Sequence, residues 1–274
     1  MKNMYNTTEV RNLKIKKAEI RYLFRNQLSS DSLGEICHTK VLPWLSIVQV
    51  LEGSYDVRLG NGPLQSTEER GFFVAPSHIQ QTIVHHVNKE SGRIRARWVF
   101  LDVVVNDTYR LDEWFTFPAV LPPEESEVLS RLFDRFFAAT TAFAKYGYCY
   151  QLLDQLFRLT VPKDDHVLEK LQGTLEYIRN HYAETITVGD LARNACMSES
   201  NFFAMFKKGL DTSPMAYINN YRLSLAVEQL TRSNRSIKEI AHSVGIHDPL
   251  YFSRLFEKIY HTSPRRYRKI YVNR

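Results

Sequence analysis

Phe202-Phe203-Ala204-Met205-Phe206-Lys207-Lys208, followed by Thr212-Ser213-Pro214 and Tyr217, returns 50 positions later as Phe252-Ser253-Arg254-Leu255-Phe256-Glu257-Lys258, Thr262-Ser263-Pro264 and Tyr267. Upstream, Asp190-Leu191-Ala192 is echoed by Glu239-Ile240-Ala241 at a spacing of 49, so the second copy has one extra residue in its turn. Self-similarity at so many typed positions marks a repeated supersecondary unit. Each copy reads as a short helix, a tight turn and a second helix: residues 188–195 then 199–208, and 237–244 then 248–258.

The spacing within each copy has a physical logic. Small Ala192 and Ala241 let two helices approach closely, and Ser198 and Asp248 stand where an N-cap oxygen takes the free amides of the helix that follows. Gly245 suits a turn with positive φ, whereas the first copy has Cys196 there. Phe202, Met205 and Phe206, like Phe252, Leu255 and Phe256, form a stripe to be buried, which leaves the opposite face free to enter a groove. Residues 214–230 read as one long helix with Pro214 in its first turn, fixing the spacing of the two units.

Charge agrees with a groove that is anionic. The chain of 274 residues carries a net +6, and the excess is C-terminal: from Lys163 onward there are 17 Lys and Arg against 12 Asp and Glu, ending in Arg265, Arg266, Arg268, Lys269 and Arg274. With 44% hydrophobic and 24% charged residues the chain can bury a core, and its length favours two domains. Residues 1–17 lack the apolar run of a secretory signal, and no window approaches the ~20 unbroken apolar residues of a membrane span, so a soluble, cytoplasmic protein is expected. Cys37, Cys149 and Cys196 are odd in number and widely spaced, which fits free thiols rather than disulfides or structural zinc.

The N-terminal third alternates. Ile94, Ala96, Trp98 and Phe100 point one way and Arg93, Arg95, Arg97 and Val99 the other, predicting a strand with one wet face. Similar runs at residues 18–24, 44–51, 55–59 and 71–75 are separated by turns such as Glu52-Gly53 and Gly60-Asn61-Gly62, predicting a closed barrel or a sandwich. Beyond Pro122-Pro123 the period becomes helical: Leu129, Leu132, Phe133, Phe136, Phe137 and Phe143, then Leu152, Leu153, Leu156 and Phe157, predict two amphipathic helices. The stretch Val161-Pro162-Lys163-Asp164-Asp165 reads as a linker or a helix start. The expected fold class is α+β in two domains: a sensing barrel over 1–122, amphipathic helices for dimerisation and linkage over 123–162, and an all-α domain over 163–274 with helix-turn-helix units at 188–209 and 237–260.

At Gly245-Ile246-His247-Asp248-Pro249-Leu250-Tyr251-Phe252-Ser253-Arg254-Leu255-Phe256-Glu257-Lys258, with Thr262-Ser263-Pro264 and Tyr267, the chain resembles the AraC/XylS family of bacterial regulators, and the resemblance runs from Val167 to Ile270. It implies a seven-helix domain that sets two recognition helices into successive major-groove segments of promoter DNA. It further implies an activator that contacts RNA polymerase, forms a homodimer and needs no cofactor. The expected DNA-contacting residues are Ser200, Asn201, Phe203, Lys207 and Lys208 in the first unit and Leu250, Tyr251, Ser253, Arg254 and Lys258 in the second. The first unit departs from the family where Ala204 stands at a position that often carries Arg, so bidentate guanine reading is impossible there. Phe203 either touches a thymine methyl or packs on its own domain; Arg254 reads a base, and Lys207 and Lys208 hold phosphates.

The N-terminal region also resembles the family's cupin-like sugar-binding barrel, through residues 50–55 and Gly71-Phe72-Phe73-Val74-Ala75-Pro76. Several such barrels are metal enzymes, so an oxygenase or isomerase with a DNA-binding tail is the competing class, its ligands drawn from His38, His78, His85, His86 and Glu90. Adjacent His85 and His86 point to opposite faces of a strand, and the H-x-H spacing is absent, so neither catalysis nor a metal is expected. An architectural DNA binder without a ligand is a third class, disfavoured by the barrel interior. For a small polar effector such as a sugar, His38, Trp44, Tyr55, His78 and Arg97 are the candidate lining residues, with Trp44 alternatively a core residue.

Overall fold

The computed structural model describes residues 15–30, 36–107, 109–163 and 165–272. Most of the N-terminal stretch read for a secretory signal, Asp164 of the expected linker and Arg274 of the basic cluster lie outside the described residues. The chain divides into two compact units, residues 1–162 and 163–274.

In the first unit two antiparallel sheets are built from short alternating strands. One sheet has the order β1 (Ala18–Ser30), β8 (Ile94–Val105), β3 (Leu45–Glu52), β6 (Phe72–Ala75), with β9 (Tyr109–Arg110) also on β8. The other has the order β2 (Ile36–Val41), β7 (Gln80–His86), β4 (Ser54–Leu59), β5 (Gln65–Ser66). Gly53 makes the β3–β4 turn at φ +84°, where a Cβ would collide with the carbonyl oxygen of His86. Val48, Val50, Phe73, Ala75, Ile94 and Ala96 of the first sheet meet Tyr55, Val57 and Ile83 of the second in a shared core.

The closed barrel does not form among the described residues. The edge of β6 pairs instead with the segment 119–121, through Val74 N to Ala119 O and Leu121 N to Phe72 O. The wet face expected on β8 is also corrected: Arg95 is exposed, but Arg97, Val99 and Leu101 are buried. Helix α2 (Pro123–Ala138), which follows the four-residue α1 (Leu111–Trp114) and the short β10 (Phe115–Thr116), covers Arg97; Phe72 of neighbouring β6 meets Phe133 edge-on at 4.9 Å. Helix α3 (Ala142–Phe157) packs beside α2 and buries Leu152, Leu153 and Leu156. Phe143, read as part of the helical stripe, is 92% exposed because it sits on the first turn of α3, away from that buried face. Val161–Pro162, expected as linker, forms β11 against Phe115–Thr116.

The second unit holds seven helices among the described residues: α4 (Asp165–His181), α5 (Val188–Asn194), α6 (Glu199–Leu210), α7 (Pro214–Arg232), α8 (Ile237–Ser243), α9 (Pro249–Tyr260) and α10 (Pro264–Val272). The repeat extends to the packing: Phe206 meets Tyr217 edge-on at 5.6 Å, and Phe256 meets Tyr267 edge-on at 5.5 Å. It extends to the helix stops as well, since α6 and α9 end on left-handed Asp211 and His261, at φ 52° and 54°. Among the described residues no helix is long and apolar enough to cross a membrane.

Candidate nucleic-acid interface and effector site

Each helix-turn-helix unit is held rigid by local chemistry. Thr187 with Asp190 and Ser236 with Glu239 close reciprocal capping boxes at the starts of α5 and α8. Hydrogen bonds from the Thr187 side chain and backbone hold the Asp190 carboxyl below its ordinary range, and the Ser236 backbone and hydroxyl do the same for Glu239. Ala192 and Ala241 are buried at the helix crossings. Cys196 and Gly245 both take positive φ, 54° and 79°, at the two turns. Only the second is sterically bound to glycine: a Cβ on Gly245 would come within 2.7 Å of the Cα and carbonyl oxygen of Ala183. Ser198 caps α6 by accepting from Asn201 N at 3.4 Å, and Asp248 caps α9 by accepting from Leu250 N at 2.8 Å and Tyr251 N at 3.2 Å.

These caps aim one face of each second helix outward. Phe202, Phe206, Phe252 and Phe256 are buried and Met205 and Leu255 half-buried, while Ser200, Asn201, Lys207 and Lys208 are exposed on α6 and Arg254 and Lys258 on α9. Phe203 is 43% exposed and lines a shallow surface groove with Val188, Glu199 and Ser200. On α9, Leu250 is 70% and Tyr251 49% exposed, so two large side chains stand in the open beside Arg254. Ser253 is half-buried, and its hydroxyl donates to the carbonyl of Pro249 at 2.9 Å. That proton is spent inside the helix.

The basic C-terminal cluster is partly structural. Arg268 donates from Nε to the carbonyl of Leu230 at 3.3 Å and from a terminal nitrogen to that of Arg235 at 2.5 Å, tying α10 to the end of α7. Arg222 does the equivalent for the first unit, reaching the carbonyls of Tyr182 at 2.7 Å and Glu184 at 2.6 Å. Sequence reasoning missed both clamps. Neither arginine falls on the repeat's typed positions, so no signal distinguishes them from solvated charges.

The five effector residues expected from the sequence are not gathered in one place. His38 on β2 and Tyr55 on β4 come together with His85 on β7: His85 Nε2 lies 3.1 Å from His38 Nδ1, and the Tyr55 and His85 rings are 4.4 Å apart. Trp44 is buried and stacks on Phe100 at 5.9 Å. His78 is elsewhere, in the β6–β7 turn at φ 58°; burial, then the charge of Arg110, pushes its pKa down to about 3. Arg97 is on the outer face of β8, where the alternation puts it, and away from the inner face that a lining residue needs. It donates to Gln49 Oε1 and to Asp134 at 2.7 Å and lies over the rings of Phe133 and Phe137. Its place follows from strand parity, since Ile94, Ala96, Trp98 and Phe100 own the inner face.

The same parity sends His86 outward to Asp56 Oδ2 at 2.9 Å, apart from His85. Pairing across strands, which one strand's spacing cannot reveal, is what brings His38 and His85 together. Among the described residues no group of three or more His, Cys, Asp or Glu is arranged to hold a metal ion.

Residues 191–270 match a family model described as a helix-turn-helix domain. The chain is 32% identical over 123 residues to the lactose operon transcription activator of Staphylococcus xylosus, a match covering 45% of this chain and less than half, 44%, of that protein. It is 28% identical over 207 residues to the arabinose operon regulatory protein of Escherichia coli, covering 68% of each. In three dimensions it is similar to ToxT from Vibrio cholerae, with a TM-score of 0.60 at 11% identity, over 91% of this chain and 98% of that one, which is a likeness of fold. With its doubled helix-turn-helix and these relatives, the chain is similar to the transcription regulators of the AraC/XylS family, and its C-terminal part carries their helix-turn-helix domain.

Proposed function

We propose that the protein is a sequence-specific, DNA-binding transcription activator, controlled by a small polar effector held in the N-terminal unit and catalysing no reaction. The observation that carries this reading is the pair of recognition helices, α6 and α9, with matched buried Phe pairs and matched exposed faces. A purely structural repeat would have no reason to leave Leu250, Tyr251 and Arg254 open together. The names of the lactose- and arabinose-operon relatives support carbohydrate metabolism as the regulated process. On this reading the protein works in the cytoplasm as a homodimer and contacts RNA polymerase at its promoter.

The division of labour is 1–122 for sensing, 123–162 for dimerisation and linkage, and 163–274 for DNA. Residues 163–274 form a compact unit with its own core, so the fragment serves as a test object. Expressed alone it should retain target-promoter DNA in a gel-shift titration, with affinity falling steeply with salt as Lys207, Lys208 and Lys258 displace counterions. Retention by residues 1–162 instead would overturn the assignment.

A further inference from the structure

Helix α6 opens on a carboxylate that the fold does not use. Ser198 already caps this helix through Asn201 N, and Thr187 with Asp190 closes the start of α5, so Glu199, the first residue of α6, takes part in neither cap. It is exposed, and among the described residues no hydrogen bond or ion pair occupies its carboxylate. Its Oε1 lies 3.0 Å from where a Cβ on Gly189 would stand, so the carboxylate leans into the gap that a glycine leaves in the first turn of α5. Phe203 is four residues on, one turn along the same exposed face, and Val188 and Ser200 join both side chains in lining one shallow groove. The second unit has no counterpart. Lys238 and Pro249 stand at the matched positions, and the Asp248 carboxylate is taken up by the amides of Leu250 and Tyr251.

A carboxylate on a face that meets DNA is repelled by the phosphates and weakens the binding of every sequence alike, unless a base donor meets it. In the major groove the donors are the exocyclic amines of cytosine and adenine. Adenine sets its N7 acceptor beside the amine and cytosine does not, while thymine and guanine present acceptors without a donor. A Glu there therefore favours cytosine by attraction and disfavours the other three bases by repulsion. Phe203 has the matching chemistry for the other pyrimidine, an apolar ring for the thymine methyl. Four residues of helix rise about 6 Å, against ~3.4 Å per base pair, so the two side chains reach bases within about two pairs of each other.

We propose that Glu199 is a specificity-determining residue that accepts a hydrogen bond from the N4 amine of a cytosine, within about two base pairs of a thymine whose methyl packs on Phe203. The first unit then reads pyrimidines, while the second reads guanine through Arg254. This rests on the reading of α6 as a recognition helix. It gives the first unit a base discrimination that the methyl of Ala204 cannot supply.

Two opposite effects of one substitution separate this role from that of a solvated charge at a helix start. Glu199→Gln keeps the side-chain volume and lifts the repulsion, so affinity for random-sequence duplex should rise slightly. The same change should cut the preference for the cytosine-bearing site about five- to tenfold, because an amide both donates and accepts, and adenine, which Gln pairs through N6 and N7, should gain most. A charge with no base partner would instead shift every sequence together. Since Ser198 and not Glu199 supplies the cap of α6, the melting temperature should hardly move.

The test is selection from a pool of randomised duplexes by the full chain, followed by titration of the enriched duplex and of its three single-pair variants at the cytosine. The unaltered chain should enrich a C·G pair within about two pairs of a T·A pair, and should lose about five- to tenfold in affinity when the cytosine is replaced. Glu199→Gln should lose that preference. Uracil in place of the thymine should weaken the unaltered chain and leave Phe203→Ala unaffected. Enrichment of the same sequences by Glu199→Gln, or an equal gain on all four duplexes, would overturn the proposal. A full chain that enriches no duplex at all would sink the recognition-helix reading itself, so the two failures are told apart.

Discussion

Arg254 and Ala204 occupy matched, exposed positions on the two recognition helices, and the difference between them is a guanidinium fork against a methyl. A fork reads guanine through two hydrogen bonds. Arg254→Ala should therefore cost about 1 to 3 kcal/mol on the specific site and relax preference at one base pair, whereas Lys207→Ala should weaken all sequences alike and shallow the salt slope by about one unit. Phe203→Ala should lower specific affinity with the slope unchanged. Titrating the three variants against the operator and its single-base variants at two salt concentrations checks all three, and an equal loss everywhere for Arg254→Ala would make it a phosphate clamp. The turns make a second matched pair. Gly245→Ala forces an alanine to φ 79° and into the Ala183 backbone, and should destabilise the DNA-binding unit by about 1 to 3 kcal/mol or more in denaturant unfolding. Cys196→Gly, where the residue already bears a Cβ at φ 54°, should be neutral or stabilising.

At the scale of elements, legibility in the sequence followed the range of the interactions. The helix-turn-helix units were readable because caps, turns and the Phe202–Phe206 and Phe252–Phe256 stripes are local, and their boundaries fell within about two residues of α5, α6, α8 and α9. The faces of β8 were half readable. Parity separated Phe100 from Arg97, but the cover over Arg97 depends on Asp134 and Phe133, which lie more than 30 residues away in sequence. The two helices expected to dimerise show the same limit. Phe133 and Phe136 are buried inside the unit, and Arg25 holds the carbonyls of Phe136 and Phe137 at 2.7 and 2.9 Å, so that stripe is not free for a partner. What remains open is Phe143, Tyr146 and Tyr150 on α3, at 92%, 39% and 42% exposure and at helical spacing. If the protein dimerises, this face should carry it: light scattering at micromolar concentration should give a dimer for the full chain and a monomer for Phe143→Ser/Tyr146→Ser. A dimer unaffected by the double substitution would move the interface elsewhere.

For the whole molecule, the two units carry opposite kinds of titrating group, and acid should separate them. In the N-terminal unit His38, His78 and His85 are kept neutral, mainly by burial, with pKa values near 4, 3 and 4 against 6.5 unfolded. The unfolded chain therefore binds protons that the folded one refuses, so this unit loses stability progressively as pH falls from about 6.5 towards 4. The DNA-binding unit depends instead on capping carboxylates. Asp190 and Glu239 titrate below their unfolded values of 3.8 and 4.5, so the stability they contribute is intact above those values and is lost only as pH falls further, through their depressed folded pKa values. Scanning calorimetry of the full chain from pH 7.5 to 4.5 should accordingly show one transition moving to lower temperature through the histidine window while a second holds nearly still. Hydrogen exchange across the same range assigns them, with protection fading first in β2 and β7 and persisting in α6 and α9. Removing the effect should require the histidines rather than any carboxylate: His78→Gln and His85→Gln should flatten the moving transition between pH 6.5 and 4.5. If both transitions shift together, or if the mobile one belongs to residues 163–274, the burial of those three imidazoles does not govern the acid response of the N-terminal unit.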